Sequence, residues 1–236
     1  MSLVVPLFAA AVGATPSAEA PALHVAISER VVAWSEQGRP PTITDERATD
    51  FAPLAAWIAA KKAKGEPAHL VFVCTHNSRR SQMGQAWAQA AALQLGLTHV
   101  HTWSGGTEAT AFNPRAVRAL RAHGFVVDDT GNTRGEGNVE YRLGYGPRTV
   151  HTAFSKVYSD PFNPETGFAA IMVCSSADAA CPYVEGAELR VAVPYLDPKA
   201  SDGSPDEAAT YLARSEEIGR EWTWLMMEAA SGSQSE

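Results

Sequence analysis

The chain has 236 residues, of which 45% are hydrophobic and 19% charged, and it carries a net charge of −7. That length buries one substantial core with an appendage but not two full domains, the acidic balance excludes a general nucleic-acid surface, and no apolar run is long enough to span a bilayer. The three cysteines, an odd number, exclude a fully paired disulfide framework in a monomer.

Residues 1–66 form an alanine-rich N-terminal helical extension. Leu3 to Ala14 is apolar and rich in small residues, like the core of a signal peptide, but no Lys or Arg precedes it and the first is Arg30. It is read as a helical arm or disordered lead, and the protein is assigned to the cytoplasm, where a reducing environment suits a functional thiol. Pro40-Pro41 separates two helices. The second ends near Lys64 and carries Phe51, Leu54, Ala55 and Ile58 at helical spacing; Pro53 implies that it starts or kinks there.

Residues 67–230 alternate strand and helix. Strands are predicted at 69–74, 100–103, 169–174 and 189–193. The helix over 80–95, closed by Gly96, places Met83, Trp87, Ala90 and Ala91 on one face. A helix over 114–123 has Asn113 as cap, Pro114 at its first position and Gly124 beyond its end. The last, over 205–227, is given a capping box by Ser204 and Glu207, and 231–236 reads as a disordered tail. The expected fold class is α/β, a three-layer αβα arrangement around a four-stranded parallel sheet, with ligands at the carboxyl ends of the strands. From about 128 to 166 the pattern fails; glycines 131, 135, 137, 144 and 146 mark an inserted loop or hairpin over the active face.

The most informative stretch is Cys74-Thr75-His76-Asn77-Ser78-Arg79-Arg80-Ser81, which follows the apolar run Leu70-Val71-Phe72-Val73. A short loop leaving a strand and entering a helix aims backbone N–H groups at an anion, and the helix N-terminus adds partial positive charge. Cys74 at its base is favoured as thiolate, Arg80 supplies a planar fork for two oxygens of a phosphate-like dianion, and Ser81 can donate to the sulfur. A cysteine ending a buried strand is often only a small hydrophobe; the polar, turn-tolerant loop behind this one argues for an oxyanion-binding thiolate. No lysine follows, so the loop is not a Gly-Lys-Ser/Thr nucleotide loop.

Cys174 and Cys181 stand seven apart. The spacing is too wide for a Cys-x-x-Cys redox motif and no further thiols accompany them for zinc, so no metal site and no bound cofactor are expected. They are either a core cysteine and an incidental loop cysteine, or a relay in which Cys174 attacks an adduct on Cys74 and Cys181 attacks the resulting disulfide. Asp197-Pro198 and Asp160-Pro161 each offer an aspartate as proton donor to a leaving oxygen, or a plain turn; chemistry alone does not choose between them.

The segments Val71 to Met83, Ser104-Gly105-Gly106-Thr107-Glu108 with Ala111-Phe112-Asn113-Pro114-Arg115-Ala116, and Cys174 to Pro182 resemble the thioredoxin-coupled arsenate reductases of the low-molecular-weight protein tyrosine phosphatase superfamily. The resemblance covers about 69–126 and 168–228. It implies Cys74 as nucleophile on arsenate, Cys174 as the thiol that releases arsenite, Cys181 as the thiol that shows the disulfide to thioredoxin, and Asp197 as the acid, since only that Asp-Pro follows the last strand. It also implies that Ser104 supports the loop and that Asn77 holds its strained backbone. His76 stands where the family usually has glycine, at a position that can need positive φ, and Arg79 where it often has cysteine.

Three functions follow. The first is arsenate reduction through a three-cysteine relay with thioredoxin as external reductant. The alternative is a phosphatase for phosphotyrosine or small phosphoesters, working through a phosphocysteine. The third is a non-enzymatic oxyanion-binding or redox-sensing module. The expected partners are an arsenate- or phosphate-like oxyanion and thioredoxin, with neither nucleic acid nor membrane.

Overall fold

The computed structural model of the protein describes residues 23–232. The expectations for the apolar run at 3–14 and for 233–236 of the tail lie outside the described residues, and no described helix is long and apolar enough to cross a membrane.

Two helices precede the sheet, α1 (Val25–Gln37) and α2 (Asp45–Lys64). Thr44 caps α2 by accepting from the Arg47 N–H at 3.2 Å, Asp45 and Glu46 lie in the first turn, and Lys61, Lys62 and Lys64 in the last, before a left-handed Gly65. The helix does not start at Pro53, the first of the two sequence expectations; Pro53 lies inside it on the exposed side, where water can take the carbonyl that its missing N–H leaves free. Phe51, Leu54 and Ile58 form the buried stripe.

The central sheet contains β1 (Ala68–Cys74), β2 (Val100–Gly106), β6 (Phe168–Met172) and β7 (Ala187–Ala192), in the order β2-β1-β6-β7, and all of its pairings are parallel. Around it lie α3 (Arg80–Gln94), α4 (Pro114–Ala122), α5 (Ser175–Ala180) and α6 (Glu207–Ser231). The α/β class and the four-stranded parallel sheet with flanking helices are as expected. Asn113 caps α4 by accepting from the Arg115 N–H at 2.9 Å, with Pro114 at its first position.

Helix α3 departs from the one-faced pattern: residues 81–93 are all buried. The extension supplies the additional cover. Trp34 of α1 lies 5.0 Å from Trp87, centroid to centroid, and Trp87 donates to Ser215 of α6 at 2.9 Å. A side chain at Gly219 would come within 2.6 Å of Trp34, so glycine is what lets the indole settle onto α6.

The last helix starts at Glu207 rather than 205 and runs to Ser231 rather than 227. Its capping box is not formed. Ser204 Oγ accepts from Asp206, while the Glu207 carboxylate accepts from the Gly203 N–H at 2.7 Å and from Arg115 at 2.7 Å, held there by the basic face of α4.

The expected loop or hairpin is a three-stranded antiparallel sheet of β3 (Val126–Thr133), β4 (Val139–Gly144) and β5 (Val150–Ala153). Beyond it the chain returns along β2. Val157 bridges Gly106 in parallel, Asn163 donates to the Ser104 and Tyr158 carbonyls, and a Cβ at Gly105 would lie 2.4 Å from Tyr158 Cα. The insertion thus buttresses the side of the cysteine loop.

Candidate active site

Cys74 ends β1 with its side chain buried, and the loop of residues 75–79 leads into α3. Every carbonyl from 74 to 78 accepts from outside the loop. Thr107 N–H donates to Cys74 O, Glu108 N–H to Thr75 O, Ser155 Oγ and Thr110 Oγ1 to His76 O, Gln82 Nε2 to Asn77 O and Asn113 N–H to Ser78 O. Among the described residues, no acceptor takes the N–H groups of residues 75–79. With its carbonyls fastened outward, the loop keeps a set of backbone donors for an anion at the start of α3.

Asn77 is what makes this path feasible. At φ 46° it is the sole non-glycine residue in the left-handed region among those described, where an asparagine is tolerated better than most. Its side chain donates to Ser81 Oγ at 2.9 Å and accepts from the Lys156 N–H at 2.9 Å and from Gln82 at 3.2 Å. Because Asn77 donates to Ser81 Oγ, the Ser81 proton is free to point at Cys74 Sγ, 3.1 Å away. His76 does not carry the positive φ that its position suggested; half exposed, it lies 3.6 Å from Glu108.

The two arginines point to different partners. Arg80 donates to the Tyr195 carbonyl at 2.9 Å and to the Asp197 carboxylate at 2.7 Å, so β7's exit loop brings the expected acid onto the expected anion grip. Asp197 also accepts from the Lys199 N–H, capping a short 3-10 turn over Pro198–Ser201. Arg79 turns away to donate to Tyr211 at 2.8 Å, and Tyr211 donates to Asp202 at 2.7 Å. Burial, together with that hydrogen bond, pushes the Tyr211 phenol up to about 12. Asp160, the other Asp-Pro, closes a turn on the Phe162 N–H within the insertion.

Cys174 is buried at the start of α5, where its sulfur accepts from the Ala177 N–H at 3.3 Å and lies 3.4 Å from Thr75 Oγ1. The second thiol therefore touches the residue that follows Cys74. Cys181 ends the same helix, half buried, its carbonyl held by Arg190, which also binds Asp178. Ser104 is different. Its hydroxyl is buried with no hydrogen-bond partner, so the expected support of the loop is not made through it.

Sequence reasoning missed a second ring of residues. Gln82, Ser155 and the Lys156 backbone fasten the loop, and Arg47 of α2 pairs with the buried Glu221 beside Tyr195. Glu221 left one signal, a carboxylate between Ile218 and Leu225 on the apolar stripe of α6.

Residues 69–135 match the family described as low molecular weight phosphotyrosine protein phosphatase. An arsenate reductase of Bacillus licheniformis is 28% identical over 154 residues, which is 64% of this chain and 88% of that protein. The chain is thus similar to the low molecular weight phosphotyrosine protein phosphatase family over the cysteine loop and α3, and to an arsenate reductase over a longer stretch. An arsenate reductase of Brevibacillus brevis is 42% identical over 60 residues, or 25% of this chain and 42% of that protein. Among solved structures, a YwlE mutant from Bacillus subtilis aligns with TM-score 0.46 and 16% identity, covering 68% of this chain and 97% of that one.

Proposed function

We propose that the protein reduces arsenate to arsenite with a three-thiol relay. The Cys74 thiolate attacks arsenic, and an arsenate oxygen leaves as water with a proton from Asp197. The Cys174 thiolate then attacks Cys74 Sγ; the S–As bond breaks, its electron pair reduces arsenic, and arsenite departs. Cys181 attacks Cys174 Sγ, returning Cys74 as thiolate and leaving a Cys174–Cys181 disulfide for an external dithiol such as thioredoxin in a reducing, cytoplasmic setting.

The observation that carries this reading is the 3.4 Å contact of Cys174 Sγ with Thr75, immediately beside the nucleophile. The final exchange requires movement, since Cys174 and Cys181 flank a helix of six residues and so lie about 10 Å apart along its axis, beyond disulfide reach. In an assay coupled to thioredoxin, its reductase and NADPH, oxidation should depend on arsenate and vanish in Cys74→Ser, Cys174→Ser and Cys181→Ser. Activity that survives loss of Cys174 and Cys181 eliminates the relay.

One observation favours a second reading, phosphomonoester hydrolysis. Asp197 on Arg80 is placed equally well to protonate an aryl leaving group and then activate water on a phosphocysteine. Aryl phosphate turnover that needs Cys74 and Asp197 but neither Cys174 nor Cys181 would select it.

A further inference from the structure

The acid loop between β7 and α6 is held not only from within the sheet domain but from the N-terminal extension. Arg47 Nε and Nη2 both approach one oxygen of Glu221, at 2.8 and 2.7 Å, and Nη1 donates to the Pro194 carbonyl at 3.2 Å. The guanidinium lies over the Tyr195 ring, 4.7 Å from its centroid, and over Phe51 of its own helix at 5.4 Å. Glu221 is fully buried and Tyr195 nearly so. Two residues further on is Asp197, and the carbonyl between these anchors, that of Tyr195, is taken by Arg80. Successive carbonyls, 194 and 195, are thus gripped by an arginine of the extension and an arginine of the anion loop.

From this geometry we infer that Arg47 is a positioning residue for Asp197, and that α2 belongs to the catalytic unit. The inference rests on the role proposed for Asp197. A buried carboxylate needs a partner, so Glu221 fixes Arg47; a planar guanidinium keeps its fork in one plane, so Arg47 fixes Pro194 and the face of Tyr195. The loop leaves that clamp with two residues in which to reach Arg80, which sets where the Asp197 carboxylate arrives. General acid catalysis depends on such placement within hydrogen-bond reach.

The test uses the full chain with Arg47→Lys and the double variant Arg47→Met/Glu221→Met, which removes both buried charges and so avoids leaving one unpaired. Amide hydrogen exchange over 194–202 reads the loop independently of any activity. It should accelerate in the double variant, and less in Arg47→Lys, while exchange over 70–92 stays unchanged. Turnover of arsenate, or of aryl phosphates with good and poor leaving groups, should fall by roughly tenfold or more in kcat where protonation of the leaving oxygen limits the rate. KM should change less than kcat, since the backbone donors of the cysteine loop are untouched and Arg80 loses only the hold of the 195–197 loop. Unchanged exchange over 194–202 in a folded double variant, or an unchanged kcat and leaving-group dependence, would overturn the inference. If the double variant does not fold, the same measurements on Arg47→Lys decide it. Should the wild type turn over neither substrate, the functional reading fails, and exchange over 194–202 decides the clamp alone.

Discussion

The Asp197 carboxylate lies 2.7 Å from Arg80, on the same guanidinium whose other terminal nitrogen donates to the Tyr195 carbonyl. The fork expected to grip an oxyanion is therefore shared with the acid that would protonate its leaving oxygen. A dianion approaching Cys74 competes with a carboxylate for one cation, and the competition ends when Asp197 carries a proton.

Asp197→Asn should therefore separate binding from chemistry. Loss of the acid lowers kcat by roughly 10²-fold or more, while removal of the competing charge tightens inhibition by phosphate. Steady-state kinetics with phosphate as inhibitor checks both; weaker phosphate inhibition in the variant would refute the competition.

Asn77 combines a left-handed backbone with three side-chain hydrogen-bond partners, Ser81, Gln82 and the Lys156 N–H. Asn77→Gly keeps the conformation and loses the bonds, whereas Asn77→Ala loses both. Thermal unfolding should rank wild type above the glycine variant and glycine above alanine, with about 1–3 kcal/mol separating wild type from alanine. An alanine variant as stable as the glycine variant would show that backbone strain contributes nothing at this position.

Lys156 is almost completely buried, its ammonium 4.7 Å from the Phe154 centroid, and burial pushes it down to about 8, against a smaller opposing effect of Asp160. The unfolded chain holds this proton up to the ordinary lysine range, so between about pH 8 and that range it binds more protons than the folded protein does, and stability rises with pH there. Below pH 8 the burial penalty, roughly 3 kcal/mol, is present in full. Lys156→Met should be the more stable protein at pH 7, with its advantage shrinking as pH rises past 8. Denaturant unfolding across this range measures it, and a gap independent of pH would contradict the assignment.

How much was readable in the sequence depended on whether the signal was local. The cysteine loop is contiguous, and the cap, proline and glycine around α4 stand beside the helix they punctuate, so pattern alone located them. Helix α3 has no exposed face, because α1 and α6 lie over its apolar side and Gln82, Gln85 and Gln89 are buried on hydrogen bonds to Phe154, Thr102 and Val100, and only the tertiary arrangement could reveal that Trp34 and Gly219 make room for each other. The insertion reads as no more than a loop or hairpin because β3 carries Asp128, Asp129 and Asn132 on a largely exposed strand, which hides the alternation that marks a half-buried one. Arg47 and Glu221 are separated by 174 residues, so nothing near either one named the other. In the cysteine loop the strained backbone lies at Asn77, the residue the resemblance points to, while His76, which stands where relatives carry glycine, takes a negative φ, a difference that only the folded loop reveals.

The burial of α3 on every side has an electrostatic consequence. The field of an exposed helix terminus is damped by mobile ions within about one Debye length, roughly 8 Å in physiological salt. Along the body of α3 that volume is filled by α1, α6 and the sheet, from which counterions are excluded. Ions therefore reach the helix at its ends, among them the start, where His76 is exposed and Arg79 and Arg80 are partly so; along the rest of its length the N-terminal extension acts as insulation as well as packing.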